Sequence, residues 1–277
     1  MERNDKAAIE ALLKRHGFHF SKSMGQNFLI DPAIPYEIAE SSRANEQNGV
    51  LEIGPGIGAL SHELCERAGK VVAVELETMA RFDNFEVVSA DILKTDIPAL
   101  VREKFAGLTP IVCANLPYNI TTPAITALIE SKCFESITVL VQKEVAERLC
   151  AAPGTSAYGA FSVFMQYYTE PEYLFAVPRE CFEPQPKVTS AVLRAVVRRE
   201  PPVEVEDEKF FFRVVYAAFA LRRKTLVNSL MTAFGSQLTK EQVTQAVTSC
   251  GLEANIRGER LGLSEFAALS AEIAALL

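Results

Sequence analysis

The sequence predicts an α/β protein: a mostly parallel, doubly wound sheet followed by a small all-α C-terminal domain. Three observations predict it. Short apolar runs alternate with helical patterns from about residue 46 to 199, one run passes straight into a glycine-rich turn, and only helical periodicity follows.

The first run, Val50-Leu51-Glu52-Ile53, leads into Gly54-Pro55-Gly56-Ile57-Gly58 and then a helix with Leu60, Leu64 and Ala68 on one face. Val71-Val72-Ala73-Val74 reads as a second strand, Glu86-Val87-Val88 as a third and Ile111-Val112-Cys113-Ala114 as a fourth. Ile137-Thr138-Val139-Leu140-Val141 is the fifth. Residues 173–177 and 190–197 read as a closing antiparallel pair, the second interrupted by Arg194 and Arg198. The stretch Arg198-Arg199-Glu200-Pro201-Pro202, with acidic residues through 208, reads as a linker. It divides the chain into a 1–199 domain and a helical 200–277 domain. Helices are expected over 210–221 and 224–234, then one opened by Thr239 and one capped by Ser264. Gly235 and Gly251 stand at helix ends.

Composition narrows the classes. The chain has 277 residues, 49% of them hydrophobic, yet holds no uninterrupted apolar run of membrane-spanning length. Its first ten residues mix acids and bases and resemble neither a secretory signal nor a transit peptide, so a cytoplasmic protein is expected. Six scattered cysteines without a C-x-x-C pair, and three histidines, argue against disulfides and a metal site. The formal net charge is −7, so any nucleic-acid contact must rest on local basic faces. Lys14-Arg15-His16, Arg194 with Arg198-Arg199, and Arg222-Arg223-Lys224 are the candidates.

The glycine turn is a nucleotide-cofactor turn, because residues without a β-carbon let the backbone bend sharply and approach a ligand. Gly54, Gly56 and Ala59 also satisfy the dinucleotide fingerprint, so a nicotinamide enzyme stays open here. Glu75, about 20 residues on, is placed to accept the hydroxyls of a ribose with either cofactor. Asp91, after the third strand, is placed to accept from an adenine amino group.

Asn115-Leu116-Pro117-Tyr118 closes the fourth strand, at the sheet edge where such folds bind ligands. An aromatic exocyclic amine is a poor nucleophile, since its lone pair is delocalised into the ring. The Asn115 oxygen and a backbone carbonyl at Leu116 or Pro117 would hold both amino protons and restore that lone pair. Catalysis would then come from orientation toward the methyl donor. Tyr118 can stack on the base, and Phe182, in the proline-stiffened Phe182-Glu183-Pro184-Gln185-Pro186, can close its other face. A core phenylalanine is the alternative for Phe182.

With these stretches, and with Lys22-Ser23-Met24-Gly25-Gln26-Asn27-Phe28-Leu29-Ile30-Asp31, the chain resembles the bacterial small-subunit ribosomal RNA adenine dimethyltransferases over nearly its whole length. The resemblance implies a Rossmann-like class I methyltransferase fold and S-adenosylmethionine as methyl donor, with no metal. It adds Asn27 and Leu29 to the cofactor residues Gly54, Gly56, Glu75, Asp91 and Asn115. It further implies N6,N6-dimethylation of two adjacent adenosines in the 3′-terminal hairpin of 16S rRNA, late in small-subunit assembly, by a monomer. Arg222-Arg223-Lys224-Thr225-Leu226 and Leu261-Gly262-Leu263-Ser264-Glu265-Phe266 favour the small-subunit branch over the large-subunit one. A non-enzymatic assembly factor is the further alternative.

One departure stands out. Only residues 76–85 connect the second and third strands, where the family carries a full helix, so the sequence as given is expected to omit a helix around 77–81, in preference to a natural deletion. Without a covering helix, Val72 or Val74 should be exposed.

Overall fold

The computed structural model describes residues 27–75 and 83–277. The N-terminal basic run, Lys22 to Gln26 of the resemblance, and the expected gap at 77–81 lie outside the described residues.

The five apolar runs form the parallel part of a seven-stranded sheet in the order β4-β3-β2-β5-β6-β9-β7. These strands are β2 (Asn48–Ile53), β3 (Lys70–Glu75), β4 (Phe85–Ser89), β5 (Thr109–Asn115), β6 (Ser136–Gln142), β7 (Thr169–Val177) and β9 (Ser190–Val197). The pairs β2–β3, β3–β4, β2–β5 and β5–β6 are parallel, and β9 runs antiparallel to β6. A parallel sheet covered on both faces needs strands apolar on both faces, and β2 is buried at every position. Strand order reverses between β2 and β5, the switch point at which such sheets open a crevice.

Helices α1 (Ala33–Ser42) and α2 (Ala59–Cys65) contribute to one apolar cluster. Ile34, Ile38 and Ala39 meet Leu60 and Leu64 there, with Val50, Val71 and Ile111 from the sheet. Helices α3 (Ile97–Lys104) and α4 (Thr121–Glu130) precede β5 and β6. Two short strands, β1 (Phe28–Leu29) and β8 (Phe182–Glu183), pair antiparallel apart from the main sheet.

Val72 and Val74 are buried rather than exposed. Exposure falls instead on the edge strand β4, where Val87 is 37% accessible. That strand is held by Glu86, which pairs with Lys70 at 2.9 Å and Lys104 at 2.5 Å.

Two compact units emerge, one running through Ala146 with Glu172–Val197, the other comprising Glu147–Pro171 and Arg198–Leu277. The second unit has its own core. Tyr158, Val163 and Tyr167, the last two on α6 (Ala160–Tyr168), pack with Phe211, Leu230, Val243 and Phe266. Those four come from α7 (Glu208–Phe219), α8 (Leu226–Phe234), α9 (Lys240–Ser249) and α10 (Leu263–Ala274). Helix α5 (Lys143–Leu149) precedes α6. Backbone and side-chain bonds knit the early segment to the late one: Tyr158 donates to the Leu261 carbonyl at 2.9 Å, and the Gly154 N–H to the Glu259 carbonyl at 2.7 Å.

Thr239 opens α9 as expected, in a reciprocal pair with Gln242. Ser264 does not cap α10. The cap is Gly262, whose N–H donates to the Glu265 carboxylate at 3.0 Å, and Ser264 sits inside the first turn.

Candidate active site

At the carboxyl ends of β2, β3, β4 and β5 lies a cavity of about 320 Å³. Register explains the convergence. Ile53 pairs with Val74 and Glu75 with Ser89, so the glycine turn, Glu75 and Asp91 leave the sheet at one level. The Gly54 N–H continues the ladder to the Val74 carbonyl at 3.1 Å. Gly54, Gly56 and Gly58 have φ of 71°, 52° and 83°, the left-handed region that side chains avoid. A β-carbon on Gly56 would come within 3.0 Å of the Phe28 ring.

Asn27, Leu29, Gly54, Gly56, Glu75, Asp91, Asn115, Leu116, Pro117 and Tyr118 all line this cavity. Asp91 accepts from the Leu93 N–H at 3.0 Å, capping the 3₁₀ turn Ile92–Lys94. Asn115 donates its amide nitrogen to the Asn27 carbonyl at 3.2 Å. A carbonyl can only accept, so the nitrogen must face it and the side-chain oxygen faces the other way. The Pro117 carbonyl already accepts from the Thr121 hydroxyl at 3.2 Å and the Ile120 N–H at 3.2 Å. Of the two backbone acceptors considered, Pro117 is thus already engaged twice. Tyr118 shares a 2.7 Å hydrogen bond with Ser190, and burial raises its phenol above the ordinary value, so the ring is tethered and neutral.

Phe182 is not at the cavity. Its ring is 1% exposed, paired through Leu29 and packed in the core with Ile34, Ile38 and Val177. That burial favours the core alternative for Phe182, and Phe182→Leu, argued in the Discussion, tests its part in covering a base. Arg222, Arg223 and Lys224 are exposed residues of the second unit. Arg222 is engaged there: it donates to the Ser156 carbonyl and, at 3.3 Å, to the Tyr158 carbonyl, and it lies 3.6 Å from Glu259.

Sequence reasoning missed Phe28 and Glu52, both of which line the cavity. Glu52 is 1% exposed and accepts from the Ser61 hydroxyl at 2.6 Å. Its signal was present as the one acid inside an apolar strand. Among the described residues the cavity wall holds Glu52, Glu75 and Asp91 but no Lys, Arg or His. No cluster of metal-ligating side chains occurs among the described residues, and no helix there is long and apolar enough to cross a membrane.

The family model for ribosomal RNA adenine dimethylase matches residues 17–266. A ribosomal RNA small subunit methyltransferase A of Geobacillus sp. is 46% identical over 271 residues, covering 94% of this chain and 93% of the relative. That of Streptococcus pneumoniae is 47% identical over 278 residues, covering 96% of each. Among solved structures, the 23S rRNA methyltransferase ErmE is 25% identical with a TM-score of 0.68, covering 90% of this chain and all of that one. A dimethyladenosine transferase from Plasmodium falciparum, 23% identical, superposes with a TM-score of 0.73 over 90% of this chain and 98% of its own.

Proposed function

Because the chain belongs to the ribosomal RNA adenine dimethylase family, we propose that its cavity binds S-adenosylmethionine and presents the donor methyl to the N6 amine of an adenosine in small-subunit ribosomal RNA. The observation that carries this reading is the charge of the wall. Glu75 and Asp91, with no Lys, Arg or His in the wall among the described residues, suit a sulfonium cation and oppose the pyrophosphate of a dinucleotide. This also disfavours the nicotinamide alternative that the glycine turn left open.

The bound donor supplies an electrophilic methyl; the chain's residues do the rest. Glu75 holds the ribose, Asp91 the adenine edge, and the glycine turn with Phe28, Asn27 and Leu29 closes the remaining wall. The Asn115 oxygen and the Leu116 carbonyl accept the two protons of the target amine, and Tyr118, tethered through Ser190, stacks on the base. The amine loses a proton to solvent once methylated, so no strong general base is needed. Two adjacent adenosines in the 3′-terminal hairpin are the proposed targets, modified late in small-subunit assembly by a monomer in the cytoplasm. In this reading residues 1–199 carry catalysis and residues 200–277 recognise RNA.

Incubating the protein with undermethylated small subunits and labelled S-adenosylmethionine should give labelled dimethyladenosine on nucleoside analysis. Label in another nucleoside, or none in RNA, would overturn the proposal. Glu75→Ala should weaken the cofactor by about 1.5–3 kcal/mol, the range for a charge-assisted hydrogen bond. Unchanged affinity in calorimetry would remove Glu75 from the site.

RNA binding is assigned to Arg223 and Lys224 with Arg222, whose own bonds give it a structural share. Neutralising Arg223 and Lys224 together should lower the slope of log affinity against log salt by up to about 0.9 for each phosphate that is no longer neutralised. Arg222→Ala should instead also lower thermal stability, since two loop carbonyls lose their donor. A double variant with the wild-type slope would show that these cations do not face RNA.

A further inference from the structure

Glu52 is a carboxyl buried in the first unit that the mechanism above leaves unused. It lies in the cavity wall at the end of β2, 1% exposed. The described residues give it one hydrogen bond, from Ser61, itself fully buried on α2. Among the described residues, the groups that face it from packed elements are Ser61 and Cys65 on α2, Glu75 on β3 and Cys113 on β5, none of them cationic. A carboxylate with one hydrogen bond and no counter-charge among the described residues is costly to bury, so the group keeps its proton.

Resting on the functional reading above, we propose that Glu52 is a proton-linked sensor of cofactor charge: neutral in the empty cavity, ionised when the sulfonium cation enters, and neutral again once the methyl has left. The proton balance is closed. On binding, the Glu52 O–H bond breaks and its proton passes to solvent, so the new carboxylate adds a buried counter-charge to those of Glu75 and Asp91. On transfer the C–S electron pair returns to sulfur, the sulfonium charge is lost, and Glu52 takes a proton back from solvent. The thioether product then faces a neutral acid, and the donor gains an attraction that the product does not.

Burial, aided by repulsion from Glu75 and opposed by the Ser61 hydrogen bond, pushes Glu52 up to about 8. The neighbouring thiols do not compete for this proton near neutrality. Burial, with the charge of Glu52 added, raises Cys65 to about 12 and raises Cys113 as well. A group protonated when the site is empty and ionised when it is filled makes affinity rise with pH and level off above about 8. The rise below that point approaches about tenfold per pH unit.

Calorimetry of S-adenosylmethionine binding at pH 7, in two buffers of different ionisation enthalpy, counts the protons released. Wild type should release close to one more proton than Glu52→Gln, and the rise of affinity from pH 6 to 8 should flatten in that variant. Donor and product carry the same amine, so the difference between them isolates the sulfonium charge. Ser61→Ala removes the bond that favours ionisation, so its pH midpoint should move upward, giving a second test should Glu52→Gln fold poorly. S-adenosylhomocysteine should release fewer protons than the donor. Equal proton release by wild type and Glu52→Gln, or by donor and product, would overturn the sensor while leaving the functional reading intact. Wild type that binds no S-adenosylmethionine would overturn both.

Discussion

Asn115→Ala is expected to slow methyl transfer by about 10²–10³-fold, the cost of losing one preorganised polar group at a reacting centre. Cofactor affinity should change much less. The direction of the amide decides this. Its nitrogen donates to the Asn27 carbonyl at 3.2 Å, leaving the oxygen as acceptor for the incoming amine. Without that oxygen, one amino proton has no partner and the lone pair stays conjugated with the base. Asn115→Asp sharpens the test. It keeps an acceptor, but it opposes a carboxylate oxygen to the Asn27 carbonyl where an N–H stood, so it should also be impaired. Single-turnover transfer to undermethylated subunits, read beside calorimetry, separates the two steps. A transfer rate close to wild type in Asn115→Ala would remove this residue from the chemistry.

The sheet was legible because strands buried on both faces must be apolar throughout, and short apolar runs between turn residues carry that pattern. Placing Gly54, Glu75, Asp91 and Asn115 at strand ends was enough to bring them together, since in-register parallel strands end at one edge. What escaped was tertiary. Glu52 passes as part of an apolar strand until Ser61 is seen 2.6 Å away across a turn. Residues 147–171 show no break in composition, yet they cluster with the C-terminal helices through bonds such as Tyr158 to Leu261, 103 residues on. Ser264 looked like a cap by residue type. Glu265 reaching back to the Gly262 N–H starts the helix earlier, so Ser264 falls inside the first turn.

Phe182 shows where a motif and its environment part company, and its truncation should have a large effect of a different kind. In sequence it is an aromatic on a proline-stiffened segment, a good candidate to stack on a base. In the structure its ring is 1% exposed among Ile34, Ile38 and Val177, and its strand pairs with the strand carrying Phe28 and Leu29. Phe182→Ala is therefore expected to cost about 3–5 kcal/mol of stability, as for other buried aromatics. At about 2–4 °C per kcal/mol for a chain of this size, the melting temperature should fall by roughly 6–20 °C. Cofactor affinity should weaken with it, because β8 braces the segment whose Asn27 carbonyl holds Asn115. That coupling makes the alanine variant ambiguous on its own: lost activity would follow from either role. Phe182→Leu separates them. Leucine refills most of the core volume, so the core reading expects a cost below about 1.5 kcal/mol and near-normal methylation. Leucine has no aromatic face, so a stacking role expects a folded protein that transfers slowly, with about 1–3 kcal/mol lost at the base. Thermal unfolding and single-turnover methylation of this variant, measured together, decide it. A stable Phe182→Leu protein with slow transfer would return the ring to the substrate.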